Sequence, residues 1–390
     1  MIAFRLAFRN IIGAGLRTWL NVIVLSFSFV VIIWNRGILD GWNRQGRLDM
    51  INWEVGGGQY WQHEYDPYDP FTLTDSHGIV PEALKAYVTK GTLSPILVTQ
   101  ATIYPEGRIQ SVLLKGIDPK QQVLRLPTHL LDQAREEIPA IIGTRTAKNN
   151  RLRIGDGVTV RWRDKDGTFD AAELKIVGIF KTNVPTVDNA QVWIPLERLR
   201  QMTLLPKEAT LLVMDQDSPS NIKLSEWNIK TQKELLADFD LILKQKSFGA
   251  IILYVLMMSL AMLAIFDTQV LSIFRRRKEI GTYIALGMTR GQVIRLFTLE
   301  GAMHGLLAAA MAALYGVPLL WMQARAGFKM PQATDDYGLA IAEKIFPVYS
   351  VQLVLGTIIL VFLTTTIVSF LPARKIAEIN PTDALKGKWQ

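Results

Sequence analysis

The chain contains no cysteine. That excludes disulfides, thiolate metal sites and cysteine nucleophiles. Histidine is scarce: His63, His77, His129 and His304 are the full set. Their spacing fits no zinc-ligand pattern, and the stretch from His63 to His77 reads as a proline-punctuated surface loop. There is no G-x-x-x-x-G-K-[ST], no G-x-S-x-G and no H-E-x-x-H. The usual phosphate loop, nucleophile elbow and zinc-protease helix are therefore missing, and no catalytic residue or bound metal is expected. Charged residues make up only 20% of the 390, too few for a disordered, charge-driven chain. The apolar share of 49% is close to that of soluble proteins and decides nothing by itself. A net charge of +8 suits nucleic acid or a membrane surface equally.

What is present is four long runs without charge. Thr18 to Asn35 has 18 residues, Phe248 to Phe266 has 19, Gly301 to Ala324 has 24 and Ile345 to Ala373 has 29. A bilayer core needs about 20 apolar residues in a helix. Soluble helices rarely lack charge on every face for so long, so each run is predicted to span a membrane. The first reads as an anchor, not a removable leader, because its apolar stretch is long and no small-residue cleavage pattern follows Trp34.

Basic residues cluster on one side of these runs. Segments 1–17, 275–297 and 374–390 together carry a net +10, and the rest of the chain sums to −2. Lys and Arg mark cytoplasmic loops. Both termini and the loop after the second span are therefore expected inside. Segment 36–247 and the short link 325–344 are expected outside. Nucleic acid is not needed to explain the charge.

About 200 residues separate the first two spans, enough for one or two domains. Short β-branched runs recur there: "GTLSPILVTQ" from Gly91, "SVLLKGI" from Ser111, "GVTVRW" from Gly157, "LKIVGIF" from Leu174, "AQVWIPL" from Ala190 and "ATLLVMD" from Ala209. "DKDG", Asp164 to Gly167, reads as a hairpin turn. Helical patches are predicted over Pro127 to Glu137 and Leu196 to Met202. Trp34, Ile38 and Trp42 fall on one helical stripe running out of the first span. Thr231 and Glu234 form a capping-box pattern ahead of a second stripe through Leu235, Leu236, Phe239, Ile242 and Leu243. These read as two stalk helices flanking a mixed α/β domain.

The third span carries Gly301, Gly305, Ala309 and Ala313, each four residues apart, a spacing that lets helix backbones approach in lipid. Glu300 and Asp267 read as solvated span ends, and His304 as a packed or hydrogen-bonded residue. The stretch "RRRKEIGTYIALGMTRGQVIRLFTLEG", Arg275 to Gly301, reads as a short amphipathic helix at the basic face. Gly281 and Gly287 would allow tight turns. Such a helix suits a groove on a soluble partner, or a surface of acidic lipid.

This stretch resembles the cytoplasmic loop of FtsX/MacB-type permeases of ATP-binding-cassette systems. The resemblance lies in Arg277, Glu279, Ile280, Gly281, Ala285, Leu286, Gly287, Ile294 and the Glu300–Gly301 pair. "LPARKIAEINPTDALKG" is similar to the family's end through Pro372, Ala373, Ala377, Pro381, Ala384 and Leu385. "RLAFRNI" is similar to its N-terminal amphipathic helix. The resemblance implies a fold of four transmembrane helices plus a large mixed α/β extracytoplasmic domain, a MacB-like periplasmic core, inserted between helices 1 and 2. The implied layout is an amphipathic helix over 1–17, spans over 18–35, 248–274, 298–324 and 345–373, a periplasmic domain with stalks over 36–247, a coupling region over 275–297, a periplasmic loop over 325–344 and a cytoplasmic tail over 374–390.

It further implies a mechanotransmission permease in the bacterial inner membrane, working with two separate ATPase subunits and a second permease. ATP and magnesium would be held by the ATPase, and this chain would hold no cofactor. The ATPase-coupling residues would be Arg277, Glu279, Ile280, Gly281, Ala285, Leu286, Gly287 and Arg290. "LLKGIDPKQQ", "IIGTRTAKNNRLRIGDGVTV" and "LKIVGIF" look most like the lipoprotein-releasing LolC/LolE permeases. That similarity implies a lipoprotein substrate and places Trp34, Ile38, Leu39 and Trp42 at the substrate-facing stalk. Where LolC has a long hook that recruits a carrier protein, this chain has the short hairpin Arg163 to Asp170. MacB-like efflux with a periplasmic adaptor and FtsX-like control of a cell-wall hydrolase are the alternatives.

Overall fold

A computed structural model of the chain describes residues 16–132, 137–216, 222–329 and 344–375. The expected N-terminal amphipathic helix, most of the 325–344 loop, most of the C-terminal tail and part of the Pro127–Glu137 patch lie outside the described residues. The chain divides into two compact units. Of the described residues, one unit comprises 16–43, 243–329 and 344–375, and the other 44–132, 137–216 and 222–242.

The helix Leu16–Met50 (α1) begins in the first unit and ends in the second. It closes in a π-helical turn, Ile51–Val55, whose last residue hands over to Gly56 at φ +62°. The left-handed conformation there turns the chain into the first strand.

The second unit is built on a nine-stranded sheet. Its elements run as Gly58–Gln62 (β1), Gly78–Ile79 (β2), Glu82–Thr89 (α2), Leu93–Ile103 (β3), Gln110–Ile117 (β4), Ile138–Gly143 (β5), Thr144–Asn150 (α3), Gly157–Arg163 (β6), Phe169–Phe180 (β7), Pro185–Asp188 (α4), Gln191–Pro195 (β8), Leu196–Thr203 (α5), Glu208–Ala209 (β9), Leu211–Met214 (β10), Trp227–Thr231 (β11) and Gln232–Leu235 (α6). Main-sheet order is β11-β1-β10-β3-β4-β8-β5-β7-β6, and β6 pairs back onto β3. β2 pairs β9 in a separate two-stranded ladder.

The length of β3 makes that closure possible. Residues 93–96 pair β10, whereas Ala101, Thr102 and Ile103 pair Trp162, Arg161 and Val160 of β6. On its other edge β3 pairs β4. One long strand thus serves an open sheet at its start and a closed barrel at its end. Alternation in β6 shows the result: Val158, Val160 and Trp162 are buried among the barrel residues, while Thr159 and Arg161 face out. The β6–β7 turn closes through Gly167 N donating to Asp164 O and Thr168 N donating to the Asp164 carboxylate. Gly167 sits at φ +86°, the conformation that the "DKDG" reading requires.

The quoted apolar runs all become strands, and Leu196 to Met202 becomes α5. Pro127 to Glu137 instead holds a 3-10 turn, Thr128–Leu131, with Pro127 fixing the entry. The α/β character expected from sequence is present. Its closure into a barrel was not foreseen.

The first unit continues with Ala237–Arg275 (α7), Arg277–Ala285 (α8), Arg290–Ala326 (α9), the paired Phe328–Lys329 (β12) and Lys344–Ile345 (β13), and Val351–Arg374 (α10). Among the described residues, four helices are long and apolar enough to cross a membrane: α1 with its π turn, α7, α9 and α10. Their shared core gathers Val22, Leu25, Phe29, Met258, Ala261, Ile265, Ala308 and Val361. Leu256, Leu260, Leu263, Leu314 and Ile359 are exposed, the pattern of a helix whose outer face meets an apolar medium. The helices outrun the charge-free runs. α9 starts at Arg290, so 290–297 belongs to the long helix and not to a separate connecting segment.

Candidate functional site

The site begins where α7 fails to continue. Arg276 adopts φ −98°, ψ 18°, which breaks the helix between Arg275 and Arg277. α8 then runs to Ala285 and stops on a Schellman-type cap. Gly287 N donates to Ile284 O, Met288 N donates to Tyr283 O, and Gly287 takes φ +96°. Two residues later Thr289 opens α9 with a capping box: its hydroxyl accepts from Gln292 N, and the Gln292 side chain accepts from Thr289 N. The sequence "ALGMTRGQ" thus encodes a helix stop and a helix start within four residues.

The loop is anchored by packing and by charge. Ile280, Val293, Phe297 and Ala373 are fully buried together, with Ile273 beside them. Burying Ile280 alone is worth about 2 kcal/mol. Gly281 is buried and helical, not a turn, because it shares the inward face with Ile280. Arg276 donates to Glu279 at 2.7 Å and to both Glu300 oxygens at 3.0 and 2.9 Å, and its guanidinium lies 5.0 Å from the Phe297 ring. Burial works against the Arg276 charge, but the Glu300 and Glu279 carboxylates outweigh it, so its pKa is raised above the ordinary arginine value. Glu300 is accordingly no solvated span end: it is buried and paired, because Arg276 turns inward at the helix break.

The eight expected coupling residues divide by face. Ile280 and Gly281 point inward. Arg277 lies over the Phe274 ring. Glu279, Ala285, Leu286, Gly287 and Arg290 are exposed, and Leu286, a large apolar side chain, is 79% exposed at the tip. Arg276 and Glu300 were missed as site residues. Their signal was an acid, Glu300, immediately before a charge-free run, at a position where an arginine cluster could reach it.

The stalk residues Trp34, Ile38, Leu39 and Trp42 are half-buried on α1. Trp34 Nε1 donates to Gln323 at 2.5 Å, and its ring meets Phe328 edge-on. On the next face, Gly37 and Gly41 lie against the 344–350 segment: an added Cβ would sit 2.1 Å from the Tyr349 ring and 2.2 Å from Phe346 O respectively.

The small-residue line on α9 is used in part. A Cβ on Gly301 would fall 2.0 Å from Ser369 Oγ, and one on Gly305 2.8 Å from Thr365 Oγ1. Ala309 packs partly into the helical core, but Ala313 is exposed. The line passes to Ala308, Ala312 and Gly316, which are buried. Steps of four residues overshoot a 3.6-residue turn by about 40° each, so three steps carry Ala313 off the face. His304 is buried, with Nδ1 3.1 Å from Glu300 O, as a packed residue would be.

His77 lies 2.6 Å from Glu208, and His63 lies 3.2 Å from Asn228. Among the described residues no cluster of His, Cys, Asp or Glu is arranged to hold a metal.

The family model "FtsX-like permease C-terminal" matches residues 251–381, a span that contains the whole α8 loop with most of α7 and the full helices α9 and α10. An uncharacterized ABC transporter permease of Methanocaldococcus jannaschii is 28% identical over 122 residues, 31% of this chain and 28% of that protein. The lipoprotein-releasing system transmembrane protein LolC of Neisseria meningitidis is 22% identical over 262 residues, 60% of this chain and 62% of that protein. Both alignments span less than two thirds of the relative's length. The extracellular domain of the noncanonic ABC-type transporter YknZ from Gram-positive bacteria aligns at a TM-score of 0.29 and 10% identity, over 45% of this chain and 99% of that domain. Residues 251–381 thus carry an FtsX-like permease domain, and the chain is similar to ABC transporter permeases, LolC among them.

Proposed function

We propose that this permease couples ATP hydrolysis on separate ATPase subunits to motion of its α/β unit, with α8 as the coupling helix. The observation that carries the reading is the build of the tip. Leu286 and Gly287 stand exposed at the end of a helix whose other face is pinned by Ile280 and by the Arg276–Glu279–Glu300 cluster. An exposed apolar knob on a rigid base is what a groove on a soluble partner takes up. The excess of Lys and Arg in segments 275–297 and 374–390 supports a topology with this tip and the C-terminus in the cytoplasm and the α/β unit on the other side of the inner membrane. A second permease completes the assembly.

The substrate reading is extraction of lipoproteins from the inner membrane, supported by the similarity to LolC and by the apolar stripe of Trp34, Ile38, Leu39 and Trp42. The short turn between β6 and β7 favours a second reading for this subunit, export of an amphiphile through an adaptor, because it offers no long hook for a carrier. Depletion distinguishes them: stranded lipoproteins in the inner membrane support the first, and normal lipoprotein sorting refutes it.

The coupling role is tested with Gly287→Asp in the assembled complex. A side chain at φ +96° strains the cap, and a carboxylate alters the docking tip. ATPase activity is expected to lose its dependence on substrate by an order of magnitude or so, as for a coupling loss of about 1–3 kcal/mol. Wild-type stimulation in this variant refutes the assignment.

A further inference from the structure

α8, α9 and α10 enclose a groove of about 690 Å³ that the coupling reading does not use. Leu299, Ala302, Phe362 and Phe370 give it apolar walls, and Tyr283 and Gln292 stand toward the loop end. Two polar groups break the pattern. Arg295 lines the groove and is exposed, and among the described residues no carboxylate is paired with it. Thr298, one turn further along α9, lines the same groove, and its hydroxyl is buried without a hydrogen-bond partner. A free cation above an orphaned hydroxyl above an apolar slot matches the order of groups in a phospholipid: phosphate, glycerol ester, acyl chain.

We propose that this groove binds one anionic phospholipid of the cytoplasmic leaflet. The phosphate sits beside Arg295, the Thr298 hydroxyl donates to an ester carbonyl, and the acyl chain lies along Leu299, Phe362 and Phe370. Basic pockets between helices on this side of a membrane recognise anionic headgroups in this way. A second copy of the chain is disfavoured as occupant by charge, because Arg295 in the groove and the exposed Arg275, Lys278 and Arg290 of the same basic segment would repel their own copies. The leaflet rests on the topology proposed above, and the site itself does not.

The test uses the full chain in vesicles of phosphatidylcholine with a minority of phosphatidylglycerol. A photoactivatable diazirine is carried on the acyl chain of one lipid or the other. Labelled phosphatidylglycerol is expected to mark peptides containing Leu299 and Phe362 well above labelled phosphatidylcholine. Arg295→Gln is expected to cut that labelling about fivefold, the effect of one basic residue near an anionic surface. Arg325→Gln, at the far end of α9, is expected to leave it unchanged. Equal labelling by both lipids, unchanged labelling in Arg295→Gln, or cross-linking of these peptides to a second copy overturns the proposal. Because the chain has no cysteine, Gln292→Cys reports the leaflet separately. Modification by an impermeant thiol reagent from the cytoplasmic face supports the stated leaflet. Modification from the outside overturns the leaflet and the topology while leaving the lipid result to stand or fall by the labelling.

Discussion

Two charged side chains show how burial changes what a residue does. Glu300 read as an ordinary span end, yet it neutralises Arg276 where α7 breaks. Removing one partner of such a buried pair strands the other charge. Glu300→Gln is expected to destabilise the protein by about 3 kcal/mol, and Arg276→Met with Glu300→Met to recover most of that loss. Thermal unfolding in detergent measures both, and a Glu300→Gln protein as stable as wild type contradicts the pairing. Lys115 is the second case. It is buried on β4 with its ammonium 5.0 Å from the Trp193 ring. Burial holds its pKa below the lysine value of 10.5, with Glu54 opposing. The unfolded chain then binds the extra proton between the lowered pKa and 10.5, so stability rises with pH through that window. Lys115→Met is expected to remove this rise and to be at least as stable at neutral pH. Chemical denaturation of both proteins across pH reads the difference, and parallel pH profiles refute it. Neither environment was legible in the sequence, because each depends on which distant element faces the side chain.

Helices, caps and turns were the most legible level. The capping box at Thr231 and Glu234 forms as read, and the "DKDG" hairpin closes on Gly167. Both depend on residues within a few positions, so local chemistry suffices. Strands β1, β5 and β11 were not read. "IPAIIG" of β5 is buried on both faces and too short to show alternation, and "GQYWQ" of β1 mixes polar and aromatic residues. The α9–α10 contact tests the element scale. Gly301→Ala brings a Cβ within 2.2 Å of Ser369 Cβ and is expected to cost about 1–3 kcal/mol. Gly301→Ala with Ser369→Gly should restore most of it, whereas Ala313→Gly, on an exposed face, should cost only the helix propensity of about 1 kcal/mol. Melting temperatures of the three variants decide, and a neutral Gly301→Ala removes the close approach.

At the scale of the whole molecule, the +8 charge resolves into a basic face and a nearly neutral remainder. That asymmetry sets the proposed topology. Single cysteines check it: Leu286→Cys, exposed at the α8 tip, is expected to react only from the cytoplasm, and Ile109→Cys, exposed on the α/β unit, only from outside. Reaction of both from one side refutes the arrangement.

The sequence by itself determined the apolar helices, the α/β insertion, the missing phosphate loop and the loop through which the chain resembles the FtsX-like permeases. These are written in runs, spacings and caps a few residues long, and water or lipid reads them without a partner element. Only the tertiary structure decided that β6 closes onto β3, that Arg276 and Glu300 meet, and that Ala308, Ala312 and Gly316 replace Ala313 on the packed face. Each of those joins segments far apart in the chain or depends on helical drift, and no local pattern fixes which of several apolar or charged candidates arrives.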